Sequence, residues 1–217
     1  APNKDGSARA DTPRPILEGD RVRHVGTPVA MIIAETLDQA RDASELVDIE
    51  YEPLEAATDT EGATRPGAAQ LYDHIPHNVC FDWHKGDLEM AEAAFTRAKQ
   101  VVRTKVVNNR IIVNSMEPRG AIGLYDAETD RTTLYSSTQG PSFIHPHLAE
   151  AVLKIDKEKL RCITTDVGGG FGMKIFLYPE QCLLAWASRR LKMAVKYAPE
   201  RSEAFMSDTQ GRDNVSY

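Results

Sequence analysis

A cluster of glycines follows a β-branched, apolar segment in Ile163–Glu180, whose sequence is ITTDVGGGFGMKIFLYPE. Four of the five residues from Gly168 to Gly172 are glycine, and Phe171 is the exception. Glycine loses more conformational freedom on folding than other residues, so this density of glycines needs a local reason. Because no Cβ intervenes, the backbone N–H groups of such a loop can approach an oxyanion or a phosphate closely. The loop therefore indicates an anion-binding or cofactor-binding site, with a tight crossing of two backbones as the alternative.

Two well-known phosphate-binding loops are excluded by their spacing. A dinucleotide-binding loop requires G-x-G-x-x-G, but the sixth position counted from Gly168 is Met173. Counted from Gly170, the sixth position is Ile175. The phosphate loop of NTPases requires Ser or Thr after its Lys, and Ile175 follows Lys174 here. The G-x-S-x-G elbow and the H-E-x-x-H helix are absent as well.

Two acidic motifs elsewhere in the chain could belong to the same site or could be structural. Glu117 and Arg119 lie two residues apart in the motif MEPR, and such charges are seldom buried unpaired. We therefore interpret them as a buried ion pair that holds a turn next to a strand. Tyr178 and Glu180 flank a proline that suits the first turn of a helix, so we expect a structural role for them too.

The histidines and cysteines do not predict a metal site. His145 and His147 are two residues apart, but the proline between them breaks any strand on which they would face one way. The cysteines, Cys80, Cys162 and Cys182, form no C-x-x-C pair, so neither a zinc site nor a disulfide framework is indicated. We interpret them as free thiols in a reducing compartment.

The composition is that of a soluble globular protein. Of 217 residues, 41% are hydrophobic and 27% are charged. The net charge of −6 argues against nucleic acid and anionic membranes as partners, because either would favour a basic face. No apolar run approaches the ~20 residues that span a membrane, and the N-terminus lacks a secretory h-region. We therefore expect a cytoplasmic protein. Both ends of the sequence resemble cut ends, which predicts a fragment or one part of a split subunit.

The elements that must position these residues follow an α+β pattern. Helices are expected after the N-cap residues Thr36 (in a capping box with Gln39) and Asp87, and over residues 146–154 and 179–191. Strands are indicated by β-branched and apolar runs at residues 27–35, 47–54, 78–87, 101–107, 110–115, 120–126, 132–138, 159–167 and 193–198. Residues 55–77 are rich in Gly, Pro, Ala and Asp and predict a boundary between two domains, 1–76 and 77–217.

Five motifs occur in order along the chain: NSMEPRGAIGLYD, TLYSSTQGP, TTDVGGGFGMK, YPEQ and ERSEAF. Together they closely resemble the molybdopterin-binding large subunit of the xanthine dehydrogenase, aldehyde oxidase and carbon monoxide dehydrogenase family. The segment from Gly19 to Leu54 resembles the later part of the α/β hammerhead domain of those subunits. The resemblance implies that residues 1–76 form the end of a hammerhead domain with a linker. It implies that residues 77–217 form the first, truncated part of the molybdopterin-binding domain.

The resemblance also implies the site residues. In this family a Gln amide hydrogen-bonds an oxo ligand of the molybdenum, and Gln139 in SSTQGP occupies the matching position. Without the resemblance, Gln139 would be interpreted as an exposed turn residue. The GGGFG loop offers backbone amides to the oxygen ligands of the metal, which maps onto Gly169, Gly170, Phe171 and Gly172. The implied cofactor-binding residues are these five, with Gln139 and Phe171 nearest the metal.

Two departures from the family pattern bear on the reaction. Purine-oxidising members continue the loop as GGKE, whereas this chain continues as GMKI, with Met173 in place of a Gly and Ile175 in place of the acid. An apolar Ile cannot hydrogen-bond a purine edge, which argues against xanthine as the substrate. The catalytic Glu of the family, its general base, lies far downstream in the large subunit. No residue of this chain corresponds to it, so no catalytic residue is assigned.

The implied activity is that of a molybdenum hydroxylase, which oxidatively hydroxylates an aldehyde, an N-heterocycle or a CO-type substrate with oxygen from water. Its implied cofactor is molybdopterin with Mo, in the cytosine dinucleotide form. The implied partners are a small subunit with 2Fe–2S clusters and a medium subunit with FAD, assembled as a dimer of heterotrimers. The sequence also leaves two alternatives open. The chain could be a non-catalytic split-subunit half or assembly module, or a nucleotide-binding α+β domain without molybdenum if the motif order is coincidental.

Overall fold

The computed structural model describes residues 2–217 and mixes helices with short strands, which confirms the expected α+β class. The helices are α1 (Leu37–Ser44), α2 (Leu88–Arg97), α3 (Pro141–Pro146), α4 (Pro179–Leu191) and α5 (Arg201–Ser207). The strands are β1 (Val106–Asn108), β2 (Ala121–Asp126), β3 (Arg131–Ser136), β4 (Leu160–Ile163), β5 (Val195–Tyr197) and β6 (Asn214–Ser216). Among residues 2–217, every helix is too short or too polar to cross a lipid bilayer.

The chain forms two compact units. The first comprises the N-terminal residues up to Pro13, Tyr51–Arg110 and Arg212–Tyr217, and it holds α2, β1 and β6. Strands β1 and β6 pair antiparallel, with Val107 opposite Val215. The glycine loop lies outside this unit, in the second one.

The second unit comprises Arg14–Glu50 and Ile111–Gly211 and contains a four-stranded sheet with the order β4-β3-β2-β5. Strand β2 pairs antiparallel with β3, in a hairpin, and with β5. Strand β4 pairs parallel with β3, and Tyr135 lies opposite Ile163 at the last pair of this ladder. Because β3 and β4 run parallel, the segments that follow them leave the sheet at the same edge.

The core of the second unit lies between this sheet and one side of α4. The buried residues on that side of the helix include Cys182, Leu184, Ala185, Ala187 and Ser188. They pack against β2 and β3, where Leu134 is fully buried. The approach is closest at Gly123 of β2, because a Cβ there would lie only 2.4 Å from the carbonyl oxygen of Leu184. Glycine at this position is therefore a packing requirement of the core.

Local signals in the sequence placed several elements correctly. Thr36 and Gln39 form the predicted capping box of α1, and the Asp87 side chain caps α2. The predicted hairpin is present as β2 and β3, and α4 has the predicted bounds Pro179–Leu191. The predicted strands before the glycine loop and near the C-terminus are present in shorter form as β4 and β5.

Four predicted strands are wrong: residues 27–35, 47–54, 78–87 and 110–115 contain no regular strand. Of the strand predicted at residues 101–107, only the end is present, in β1. A strand needs a hydrogen-bonded neighbour, and these segments make no regular ladder with any other part of residues 2–217. The nearest approach to a ladder is one isolated bridge between Ile111 and Gly211.

The helix predicted over residues 146–154 begins earlier and is irregular. Pro141 occupies its first turn as α3, and Pro146 lies inside the helix rather than at its start. A proline has no N–H to donate within a helix, and a π-helical turn, His147–Leu153, follows it. Helix α5 was not predicted, although its residues lie in the motif ERSEAF.

Candidate cofactor-binding site

Two segments of the second unit meet beyond the ends of the parallel strands β3 and β4. The first, here called the Gln139 turn, is Ser137–Gly140, which follows β3 directly. The second is the glycine loop, Gly168–Gly172, which begins five residues after the end of β4. The hydroxyl of Thr164, the residue directly after β4, donates to the Thr138 carbonyl at 3.3 Å. The parallel ladder therefore brings together two segments that are about 30 residues apart in the sequence.

The side chain of Gln139 lies on the glycine loop and has a defined orientation. Its Oε1 accepts hydrogen bonds from the backbone N–H of Gly172, at 2.9 Å, and of Lys174, at 3.2 Å. Its own backbone N–H donates to the Lys174 carbonyl at 3.0 Å. Since the carbonyl end of the amide is held by two donors, the Nε2 end must point away from them. Within residues 2–217, Nε2 has no acceptor, and Gln139 is exposed.

The glycine loop has a backbone that other residues would not adopt easily. Gly169 and Gly172 have φ angles of +96° and +89°, in the region that favours glycine. Gly170 has no positive φ, but a Cβ at this residue would lie 2.5 Å from Cδ and Oε1 of Gln139. Phe171 also has a positive φ, of +49°, and its residue is 79% exposed. The glycines therefore have two roles. They allow a left-handed backbone at Gly169 and Gly172, and they allow Gln139 to contact the loop at Gly170.

Three consecutive backbone amides of the loop lack an acceptor within residues 2–217. The N–H groups of Gly168 and Gly172 donate to Glu117 and Gln139, respectively. In contrast, those of Gly169, Gly170 and Phe171 donate to no acceptor within residues 2–217. Unpaired backbone donors are rare in folded proteins unless water or a ligand satisfies them. Together with Nε2 of Gln139, these amides are hydrogen-bond donors of a kind that suits oxygen atoms.

A carboxylate and a buried ammonium group lie beside the loop. Oε2 of Glu117 accepts hydrogen bonds from Ser137 Oγ at 2.6 Å, Gly168 N at 2.8 Å and Lys174 Nζ at 2.9 Å. Partial burial works to raise the pKa of Glu117, but these three hydrogen bonds outweigh it, and the pKa is lowered. Glu117 is therefore a charged acceptor that holds the first residue of the glycine loop.

The expected ion pair between Glu117 and Arg119 is wrong. Arg119 is 3% exposed and pairs instead with Glu180, at 3.3 Å, and Asp208, at 3.0 Å. Its guanidinium carbon lies 3.5 Å from the centre of the Tyr178 ring, in a cation–π contact. In a regular extended segment, residues two apart face the same side, but the chain bends at Met116 and Glu117, so Glu117 and Arg119 reach different partners. The structural role expected for Tyr178 and Glu180 agrees with these contacts.

Arg201 at the start of α5 holds the turn that carries Glu117. Its Nη1 donates to the Ser115 carbonyl at 2.7 Å and to Asn114 Oδ1 at 3.2 Å. Its Nη2 donates to the Met116 carbonyl at 2.6 Å. The turn also contains a residue with positive φ, Asn114 at +51°, so these bonds hold an otherwise unfavourable backbone. Arg201 thus acts on the site through Glu117.

The ring nitrogens of two histidines lie near backbone carbonyls, and the cysteines are free thiols. His145 Nε2 lies 3.1 Å and 3.0 Å from two backbone carbonyls, and His147 Nδ1 lies 2.8 Å from a third. The three cysteines are free thiols. Burial raises the pKa of Cys162 to about 11 and that of Cys182 to about 12, so both thiols are protonated at neutral pH.

The residues that replace the family's Gly and acid after the loop differ in their exposure. Met173 is 2% exposed and belongs to the interior, whereas Ile175 is 39% exposed. A Cβ on Gly140 would lie 3.5 Å from Cγ1 of Ile175, so this side chain lies against the Gln139 turn. An apolar surface therefore lies directly next to Gln139.

Sequence reasoning missed three residues that build the site: Lys174, Ser137 and Arg201. Lys174 was considered only as part of a phosphate loop. A signal was present, since this lysine lies between Met173 and Ile175, and a lone charge in an apolar run must find a partner. The sequence offers many carboxylates, however, and gives no means of choosing Glu117 among them.

Loop amides without acceptors beside an oriented carboxamide, at one edge of an α+β sheet, form a candidate site for an oxygen-rich group. Comparison with known proteins identifies the family of the chain. A family model described as the molybdopterin cofactor-binding domain matches residues 71–217. A second, described as the a/b hammerhead domain of aldehyde oxidase and xanthine dehydrogenase, matches residues 1–55.

The chain belongs to the family of molybdopterin-binding large subunits of xanthine dehydrogenase, aldehyde oxidase and carbon monoxide dehydrogenase, whose members are molybdenum oxidoreductases. The order of a hammerhead segment and a molybdopterin-binding segment is confirmed, while the division at residues 76 and 77 stays a prediction.

Individual relatives match nearly the whole chain. The nicotine 6-hydroxylase large subunit of Paenarthrobacter nicotinovorans is 33% identical over 199 residues, which cover 92% of this chain and 24% of the relative. The structure of quinoline 2-oxidoreductase from Pseudomonas putida 86 superposes with a TM-score of 0.84 at 32% identity, covering 94% of this chain and 26% of that one. CO dehydrogenase from Oligotropha carboxidovorans gives a TM-score of 0.85 at 28% identity, covering 91% and 26%. The chain thus spans about a quarter of the length of these relatives.

Proposed function

We propose that this chain provides the first part of the cofactor site in the large subunit of a molybdenum hydroxylase. The proposed cofactor-binding residues are Gln139, Gly169, Gly170, Phe171 and Gly172, with Gln139 and Phe171 nearest the metal. One observation carries the proposal: Nε2 of Gln139 and three consecutive loop amides lack acceptors within residues 2–217, although Gln139 and Gly170 are in direct contact. This donor set fits a group rich in oxygen atoms, as a molybdenum–pterin centre is.

The division of labour follows from these contacts. The bound molybdenum–pterin group would supply oxygen transfer from water and accept two electrons from the substrate. Gln139 would donate a hydrogen bond through Nε2, while its Oε1 stays bound to Gly172 and Lys174. The amides of Gly169, Gly170 and Phe171 would orient the group and stabilise negative charge on it. No residue of this chain is proposed as the general base, which we place elsewhere in the subunit.

We propose an aldehyde, an N-heterocycle or a CO-type molecule as the substrate, rather than a purine. Ile175 lies against the Gln139 turn and has no group that hydrogen-bonds a polar ring edge. A site without a hydrogen-bonding group for the ring edge does not select a polar substrate over an apolar one. Three relatives have names from this class, which refer to nicotine, quinoline and CO, while another is named a probable xanthine dehydrogenase subunit.

The remaining components of the proposed enzyme lie outside this chain. We propose the cytosine dinucleotide form of molybdopterin, 2Fe–2S clusters on a small subunit and FAD on a medium subunit, in a cytoplasmic dimer of heterotrimers. A relative named as a large subunit supports an assembly of more than one kind of chain. Metal and pterin analysis of the purified full-length complex tests the proposal. About one molybdenum and one pterin per large subunit are expected, and their absence would falsify it.

Gln139→Ala in the full-length subunit is expected to lower turnover by about ten- to hundredfold. The reason is the loss of one hydrogen bond to a strongly polarised group, which is worth about 1.5–3 kcal/mol. Steady-state turnover, normalised to molybdenum content, measures the effect. Gln100→Ala is the control, because Gln100 is an exposed glutamine of the other unit. Unchanged turnover in a molybdenum-replete Gln139→Ala enzyme would contradict the role of Gln139.

A further inference from the structure

Lys174 lies next to the glycine loop, and the proposed function does not use its buried side chain. Its side chain has no solvent-exposed area, and it is the largest of the fully buried side chains among residues 2–217. Lysine is almost never fully buried unless it is paired, because an ammonium group loses its hydration on burial. The position therefore needs a reason beyond filling space.

The backbone of Lys174 holds the Gln139 turn at three points. Its N–H donates to Oε1 of Gln139 at 3.2 Å. Its carbonyl accepts the backbone N–H of Gln139 at 3.0 Å and the hydroxyl of Thr138 at 2.8 Å. A movement of Lys174 would consequently rotate the amide of Gln139 away from its present orientation.

The side chain of Lys174 contacts Ser137 of the Gln139 turn and Glu117, which binds the first residue of the glycine loop. Nζ donates to Glu117 Oε2 at 2.9 Å and to Ser137 Oγ at 2.8 Å. The Ser137 hydroxyl donates in turn to Glu117 at 2.6 Å, which closes a triangle of three groups. The same Oε2 atom of Glu117 accepts the backbone N–H of Gly168 at 2.8 Å. A path of charge-assisted hydrogen bonds thus runs from Lys174 to the first residue of the glycine loop.

We propose that Lys174 is the positioning residue that joins the Gln139 turn and the glycine loop into one cradle of constant spacing. Its backbone N–H fixes the orientation of the Gln139 side-chain amide. Its Nζ fixes the position of Gly168, the first residue of the loop, through Glu117. The proposal rests on the proposed function, because the spacing matters only if both segments contact one cofactor. A charge suits this task, since charge-assisted hydrogen bonds are about twice as strong as neutral ones.

The test compares the wild-type full-length complex with Lys174→Met, a neutral side chain of similar length. Molybdenum and pterin content per large subunit is expected to fall by about tenfold or more, the effect of losing a charged hydrogen bond. Hydrogen exchange of the amides of residues 168–174 is expected to accelerate in the same variant. Lys159→Met is the matched control, because it removes an exposed ion pair with Asp130 and leaves the site intact.

A double variant, Lys174→Met with Glu117→Gln, separates positioning from fold stability. It leaves no unpaired charge, so its melting temperature is expected to recover while its cofactor content stays low. If Lys174→Met alone fails to fold, the cofactor content of the double variant provides the test instead. Wild-type cofactor content in either variant overturns the inference. A wild-type complex without molybdenum contradicts the proposed function instead, and the exchange of residues 168–174 then still tests whether Lys174 holds the loop.

Discussion

In the full-length subunit, Gly170→Ala is expected to remove most of the bound molybdenum and pterin while the subunit stays folded. The new Cβ would lie 2.5–2.6 Å from Cγ, Cδ and Oε1 of Gln139, which is closer than carbon and oxygen atoms pack. Gln139 must then leave Gly172 and Lys174, and its Nε2 loses its present orientation. The displaced Gln139 no longer donates its hydrogen bond to the cofactor, a loss of about 1.5–3 kcal/mol, or about ten- to hundredfold in cofactor affinity.

Cofactor content and the melting temperature of the purified variant measure this effect. Gly120→Ala is the matched control, because its nearest neighbour, the Tyr197 carbonyl oxygen, would lie 3.7 Å away, at an ordinary contact distance. We expect wild-type molybdenum content in that control. If Gly170→Ala also retains full molybdenum and pterin, the contact between Gln139 and Gly170 has no role in binding.

Arg119→Met is expected to cause the largest loss of stability of any single substitution considered for this chain. It leaves Glu180 and Asp208 buried without the cation that now lies 3.3 Å and 3.0 Å from them. Removing one partner of a buried ion pair typically destabilises a protein by about 3–5 kcal/mol. The midpoint of denaturant-induced unfolding at pH 7 measures the loss. Lys157→Met is the control, because its ion pair with Glu150 is exposed and should contribute little.

The loss in Arg119→Met is also expected to depend on pH. Burial raises the pKa of Glu180 and of Asp208, and Arg119 opposes this rise in both. Without Arg119 the folded-state pKa values increase further above the unfolded values of about 4. An acid with a raised folded-state pKa binds its proton more tightly in the folded state, so stability is gained as the pH falls through that pKa. The difference between variant and wild type should therefore shrink from pH 8 towards pH 5, and a constant difference would contradict this account.

The fold could be predicted from the sequence where the signals are local. The caps Thr36 and Asp87, the hairpin of β2 and β3, and the proline that begins α4 each depend on a few neighbouring residues. The wrong strands have the right composition but lack a neighbour to pair with, and pairing is not a local property. Residues 27–35 illustrate this, since their β-branched run is not matched by any ladder within residues 2–217.

The candidate site, too, was predictable from the sequence only where its signals are local. The glycines and Gln139 could be found from the sequence, because motif order and backbone freedom are visible there. The partners of Glu117 could not be found, since Lys174 lies 57 residues away and reaches it only through the pairing of β3 with β4. The expected partner, Arg119, was nearer in sequence and had the right charge, but the turn directs it to Glu180 and Asp208.

The parallel pairing of β3 and β4 has a consequence for protein engineering. The Gln139 turn and the glycine loop follow two strands that pair directly, from Thr132 opposite Leu160 to Tyr135 opposite Ile163, so this pairing does not require an unbroken crossover between the strands. The crossover is exposed around Glu158, in the turn that precedes β4. New termini placed there by circular permutation, or a reporter domain inserted there, would leave both segments of the cradle on adjacent strands.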